Sequence, residues 1–73
     1  MEKTVQISTP FIKLDALLKF ADVVSSGGEA KLLIQEGQVL VNGEICTMRG
    51  KKCVPGDQIE VAGFPAIVLE GLT

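Results

Sequence analysis

The stretch KLDALLKFADVVSSGGEAKLLIQEGQVLVNG, Lys13 to Gly43, changes its apolar period once, and that change sets the fold. In its first part Leu14, Leu17, Leu18 and Ala21 recur at i, i+3, i+4 and i+7, the single stripe of an amphipathic helix. Ser8-Thr9-Pro10 just ahead supplies a hydroxyl N-cap and a proline for the first helical position, so the helix is expected to begin there. Asp15 and Lys19 form an i, i+4 pair in the favourable order, and Val23-Val24 leaves the helix against the core. Ser25-Ser26-Gly27-Gly28 is a turn, and Ser26 followed three positions later by Glu29 has the form of a capping box. Ala30, Leu33 and Ile34 then face inward, and Gly37 stands where a helix favours glycine at its end. Two short helices joined by a tight turn make a helix-turn-helix-like unit. Lys13, Lys31 and Gln35 have no place in either apolar stripe and are free to face a partner.

Beyond Gly37 the period drops to two. Val39 and Val41 alternate with polar neighbours or Leu40, and Asn42-Gly43 is a strong hairpin signal. Ile45 and Thr47 are expected to continue the return strand. Pro55-Gly56-Asp57 marks another turn, Ile59 and Val61 the next strand, and Gly63-Phe64-Pro65 a break before a last strand over Ala66-Ile67-Val68-Leu69. Upstream, Thr4 to Ser8 alternates as a short half-buried strand. The class is α+β: two helices in a helix-turn-helix-like arrangement packed on a small, mainly antiparallel sheet. With 73 residues and no repeat or linker, residues 1–73 read as one domain.

A content of 47% hydrophobic and 22% charged residues is that of a globular chain rather than a disordered one. No apolar run approaches the roughly 20 residues of a membrane-spanning helix, and the start from Met1 to Gln6 has no leader-like apolar core. A cytoplasmic protein without membrane attachment is expected. Cys46 and Cys53 match no zinc spacing and there is no histidine, so the cysteines read as reduced, partly buried apolar side chains. Neither a nucleophile beside a general base nor a phosphate-binding glycine loop occurs, so no enzyme, cofactor or metal is expected. Asp15 and Asp57 read as helix-surface and turn residues. The net charge of −2 argues mildly against nucleic acid. A phosphate, however, responds to local potential within a Debye length of about 8–10 Å, and Arg49-Gly50-Lys51-Lys52 concentrates positive charge.

Lys13-Leu14-Asp15, Ser26-Gly27-Gly28-Glu29-Ala30-Lys31, Leu33-Ile34-Gln35-Glu36-Gly37-Gln38-Val39-Leu40-Val41-Asn42-Gly43 and Gly56-Asp57-Gln58-Ile59-Glu60-Val61 follow one another in unbroken register. Taken together they resemble the RNA-binding domain named after ribosomal small-subunit protein four, the S-four domain, over residues 11–61. The chain looks most like that family's short stand-alone bacterial branch, the YaaA-type proteins. Two positions depart from the family pattern: Gly27 stands where an arginine is usual, and Leu32 where a second basic residue is frequent. Two phosphate contacts of the family are thereby missing, and Arg49, Lys51 and Lys52 are the candidates to replace them.

The resemblance implies binding of structured RNA, ribosomal or transfer RNA, by a monomer associated with a ribosomal subunit or with translation. The residues expected to meet the RNA are Lys13, Lys31, Arg49, Lys51 and Lys52 through phosphates, with Gln35, Asn42 and Gly43 as hydrogen-bonding neighbours. Stacking of bases on aromatic rings is disfavoured, because Phe11, Phe20 and Phe64 are the only aromatics. Two other readings stay open. A protein-binding adaptor on the ribosome or another complex would use the acidic residues Glu29, Glu36 and Glu60. A ubiquitin-like sulfur carrier shares the Val-x-Val-Asn-Gly hairpin, but ends in Gly-Gly where this chain has Glu70-Gly71-Leu72-Thr73.

Overall fold

The computed structural model describes residues 2–72. Met1 and Thr73, on which the expectations about a leader and a terminal Gly-Gly partly rest, lie outside the described residues. The elements in chain order are β1 (Glu2–Ile7), β2 (Ile12–Lys13), α1 (Leu14–Phe20), α2 (Gly27–Gln35), β3 (Val39–Val41), β4 (Glu44–Ile45), β5 (Lys52–Cys53), β6 (Gln58–Val61) and β7 (Ala66–Gly71). Five strands form one sheet in the order β1-β7-β6-β3-β4, and β2 pairs with β5 in a separate two-residue ribbon. All pairings are antiparallel except β1 with β7, which run parallel with Val5 opposite Leu69. The two helices pack against each other and, through one face, on the sheet. The expected class, two helices on a mainly antiparallel sheet, is the one observed.

The apolar stripe read from the sequence is the core. Leu14, Leu17, Leu18 and Ala21 meet Ala30 and Ile34 of α2 and the inward residues Val5, Ile7, Val39, Val41, Ile59, Val61, Ile67 and Leu69 of the sheet. Each fully buried leucine contributes about 1.5–3 kcal/mol by leaving water. No polar or charged residue is buried among the described residues, so the interior holds no unpaired charge. Among the same residues, no helix is long and apolar enough to cross a membrane.

Both helices end in the same way. Asp22 (φ 60°) follows α1 and Gly37 (φ 75°) follows α2 in the left-handed region. Val23 N donates to Leu18 O at 2.9 Å and Asp22 N to Lys19 O at 3.1 Å; Gln38 N donates to Leu33 O and Gly37 N to Ile34 O, both at 3.1 Å. These are paired Schellman bonds that satisfy the last carbonyls of each helix. At the start of α2, Ser26 is the N-cap and accepts from Glu29 N at 3.3 Å, the first half of the expected capping box, while the Glu29 carboxylate accepts from the Ser25 and Ser26 hydroxyls rather than from the Ser26 amide.

The structure corrects the expected start of α1. Ser8, Thr9 and Pro10 do not begin a helix but a bend that leads into the short strand Ile12–Lys13, and α1 starts at Leu14 without a side-chain cap. The reason is long-range: Ile12 and Lys13 pair with Cys53 and Lys52. Carbonyls of the distant loop then take the free helix amides, Leu14 N donating to Lys51 O at 2.9 Å and Asp15 N to Arg49 O at 3.1 Å. The return strand after Asn42-Gly43 is also shorter than expected. It closes at Ile45, and Thr47 lies outside it, because Cys46 makes the last ladder bond (to Val39 O, 3.0 Å) before the chain turns away. Asp15 directs its Oδ1 to the amide of Ala16, 2.7 Å away.

Candidate nucleic-acid interface

The eight residues singled out in the sequence fall into three groups. Lys13 and Lys52 are direct cross-strand partners in the β2–β5 ribbon. Their ribbon neighbours Ile12 and Cys53 turn inward, so the two lysines project together to solvent. Arg49 and Lys51 reach the same place through the backbone bonds that their carbonyls accept from the first amides of α1. The loop between them is a tight turn closed by Lys51 N donating to Met48 O at 3.2 Å, with Arg49 and Gly50 at its tip. The backbones of four cationic residues from two distant parts of the chain are therefore gathered at one end of α1. Lys31 and Gln35 are exposed one turn apart on α2, and the bonds that gather the other residues do not include them.

A pair of lysines facing each other across a ribbon is destabilising by itself. One of them is also held in place by a ring: Lys52 Nζ stands 5.0 Å from the centroid of Phe11. A cation over an aromatic face gains about 0.5–1 kcal/mol at an exposed site. Phe11 was not among the residues singled out in the sequence, and no local spacing rule pairs positions 11 and 52. The helix amides are already occupied by loop carbonyls, so charge and not the helix end is what this surface offers an anion.

Asn42 and Gly43 form the hairpin turn with φ of 53° and 85°, the left-handed pair that a type I′ turn requires. Both polar atoms of the exposed Asn42 side chain bond within the protein. Its Nδ2 donates to Asp57 Oδ1 at 3.0 Å, and its Oδ1 accepts from Gln58 N at 3.0 Å. Asp57 in turn accepts from Val54 N through Oδ2 at 2.9 Å, capping the Pro55-Gly56 turn. The Val-Asn-Gly and Gly-Asp segments of the sequence are thus the two halves of one hydrogen-bonded clamp. Beside this clamp opens a concavity of about 380 Å³, lined by Asn42, Glu44, Ile45, Thr47, Met48 and Lys51 among others.

The two cysteines flank the basic loop and are both free thiols. Cys53 is fully buried, and burial first, then Asp57 and Cys46, pushes its thiol up to about 11. It is a neutral thiol at physiological pH, an apolar filler beneath the ribbon rather than a nucleophile.

A family model described as the S4 domain, the S-four domain of the sequence reading, matches residues 5–69. The probable ribosome maturation protein RlbA of Bacillus subtilis (strain 168) is 45% identical over 64 residues, covering 88% of this chain and 90% of that protein. The putative RNA-binding protein YbcJ of Escherichia coli (strain K12) is 41% identical over 60 residues, covering 82% and 86%. The solution structure of YbcJ from E. coli, described as revealing an ALFAL motif involved in RNA-binding, aligns with a TM-score of 0.67 at 36% identity. That alignment spans 89% of this chain and 85% of the other.

Proposed function

The chain belongs to the S-four domain family, and from that premise we propose that it binds structured RNA, ribosomal RNA above all, through the basic cluster at the start of α1. The observation that carries this reading is the cross-strand pair Lys13 and Lys52, joined by Arg49 and Lys51, in a protein of net charge −2. Gathering like charges costs folding energy, and a polyanion that meets them offsets that cost. Relatives named for RNA binding and for ribosome maturation support the same partner.

In this reading Lys13, Arg49, Lys51 and Lys52 contact phosphates, which fixes register without reading sequence. Lys31 and Gln35 extend the contact along α2, where a long RNA backbone would pass. Asn42 and Gly43 act as positioning residues that hold the hairpin beside the cluster. The protein works as a cytoplasmic monomeric binding module of ribosome assembly or translation, and any RNA chemistry lies with other proteins.

The test is co-sedimentation with small and large ribosomal subunits and with protein-free ribosomal and transfer RNA, followed by ultraviolet crosslinking. The reading predicts binding to protein-free ribosomal RNA and crosslinks in the segment 43–53. Binding to subunits that crosslinks only to ribosomal proteins would overturn it in favour of an adaptor working through Glu29, Glu36 and Glu60.

A further inference from the structure

The concavity beside the hairpin turn is not explained by phosphate binding. Its walls include Ile45 and Met48, which leave 65% and 63% of their surface in water. Large apolar side chains that exposed, on a strand end and a loop that otherwise carry cations, lack a packing role. The same concavity also holds a carboxylate, Glu44, and a hydroxyl, Thr47, while the Asn42 amide beside them is committed to Asp57 and Gln58. Lys51 belongs both to this lining and to the basic cluster, since its carbonyl accepts from Leu14 N. The concavity is therefore continuous with the surface assigned to phosphates.

A carboxylate on such a surface repels the backbone it sits beside. That cost is offset when the carboxylate accepts hydrogen bonds from a base edge, since an ionised carboxylate is an acceptor only. Cytosine N4, adenine N6 and guanine N2 are amino donors of this kind, each with two hydrogens to give, whereas uracil offers only the single imino hydrogen at N3 between two carbonyl oxygens that repel a carboxylate. Aliphatic and thioether walls can cover the two faces of a base where no aromatic ring is available, and methionine adapts well to a flat π-face. A volume of about 380 Å³ lies at the small end of ligand sites, fitting one base and not a helix.

We propose that the concavity between Ile45 and Met48 takes one unpaired, amino-bearing nucleobase of the bound RNA, with Glu44 accepting from its amino edge and Lys51 holding its phosphate. The inference rests on the RNA-binding reading above and adds to it a preference among bases. The basic cluster sets where the RNA lies, and the concavity selects a bulged or looped-out adenosine, cytidine or guanosine over uridine.

Five RNA hairpins decide the matter, identical except for a single bulged A, C, G or U, or no bulge. Affinities are measured for the wild type and for Glu44→Ala and Met48→Ala, with folding checked by circular dichroism. The expected result is roughly tenfold tighter binding of amino-bearing bulges than of the U bulge or the fully paired hairpin, the order given by a good base-edge contact. Glu44→Ala should erase the preference without changing the salt dependence, and Met48→Ala should reduce all bulged hairpins to the fully paired level. Equal binding of all five by the wild type, or a preference that survives in Glu44→Ala, would overturn the base site and leave the phosphate reading standing. Failure of every hairpin to bind at low salt would overturn both.

Discussion

Asn42 and Asp57 are fifteen residues apart in sequence and 3.0 Å apart in the fold, and each side chain has donors and acceptors in one workable arrangement. Asn42 must give Oδ1 to Gln58 N, which obliges its Nδ2 to find an acceptor, and Asp57 supplies it while its second oxygen holds Val54 N. Asp57→Asn replaces one of those acceptors by a donor that faces another donor. It should cost about 1–3 kcal/mol, read as a lower midpoint in urea with an unchanged slope. At the same scale Cys53 is silent chemistry. Its pKa is raised from 9.0 to about 11, so the stability from burying the neutral thiol is whole below about pH 9 and fades as pH rises through 11. A thiol reagent at pH 8 should label the partly exposed Cys46 first and Cys53 only at the rate of unfolding.

The second helix was almost wholly legible, because its signals are local: Ser26 caps it, Ala30 and Ile34 fill its inner stripe, and Gly37 ends it in the left-handed region. Ser26→Ala should cost about 1 kcal/mol of stability in thermal melts. The Glu29 carboxyl is held below its ordinary 4.5 by the Ser25 hydroxyl first, with Ser26 adding to it. With the folded-state pKa depressed, its stabilising contribution is present above about pH 4.5 and is lost as pH falls through the lower folded value. The gap in melting temperature between wild type and Glu29→Gln should therefore narrow as the pH is taken from 7 to 3. The first helix was legible in its buried stripe but not in its start. Ser8-Thr9-Pro10 carries a correct local cap signal that loses to a two-residue ribbon with β5 and to carbonyls some 35 positions downstream. No rule of nearest-neighbour spacing contains that ribbon. For the same reason the Lys52–Phe11 contact was invisible until the chain was folded, while the concavity within residues 41–51 depends on a loop path that no spacing rule prescribes.

Across the whole molecule the charge total is misleading and the charge placement is not. The cations were visible in the sequence as Lys13 and Arg49 to Lys52, yet only the β2–β5 ribbon brings them to one end of α1. Holding them there opposes folding. Lys13→Gln, which relieves the repulsion across from Lys52, should leave the protein as stable as before or more stable by about a few tenths of a kcal/mol, while weakening its hold on RNA. Opposite signs for stability and affinity are what separate a functional charge from a structural one. The most direct measurement is the salt dependence of ribosomal RNA affinity for the wild type and for the combined Lys13→Gln, Arg49→Gln, Lys52→Gln variant. Each phosphate contact adds about 0.7–0.9 to the slope of log affinity against log salt. If the cluster is the RNA-binding surface, the variant's slope is flatter by about two units and its affinity at low salt falls steeply. An unchanged slope in a folded variant would contradict the account and place the RNA elsewhere on the protein.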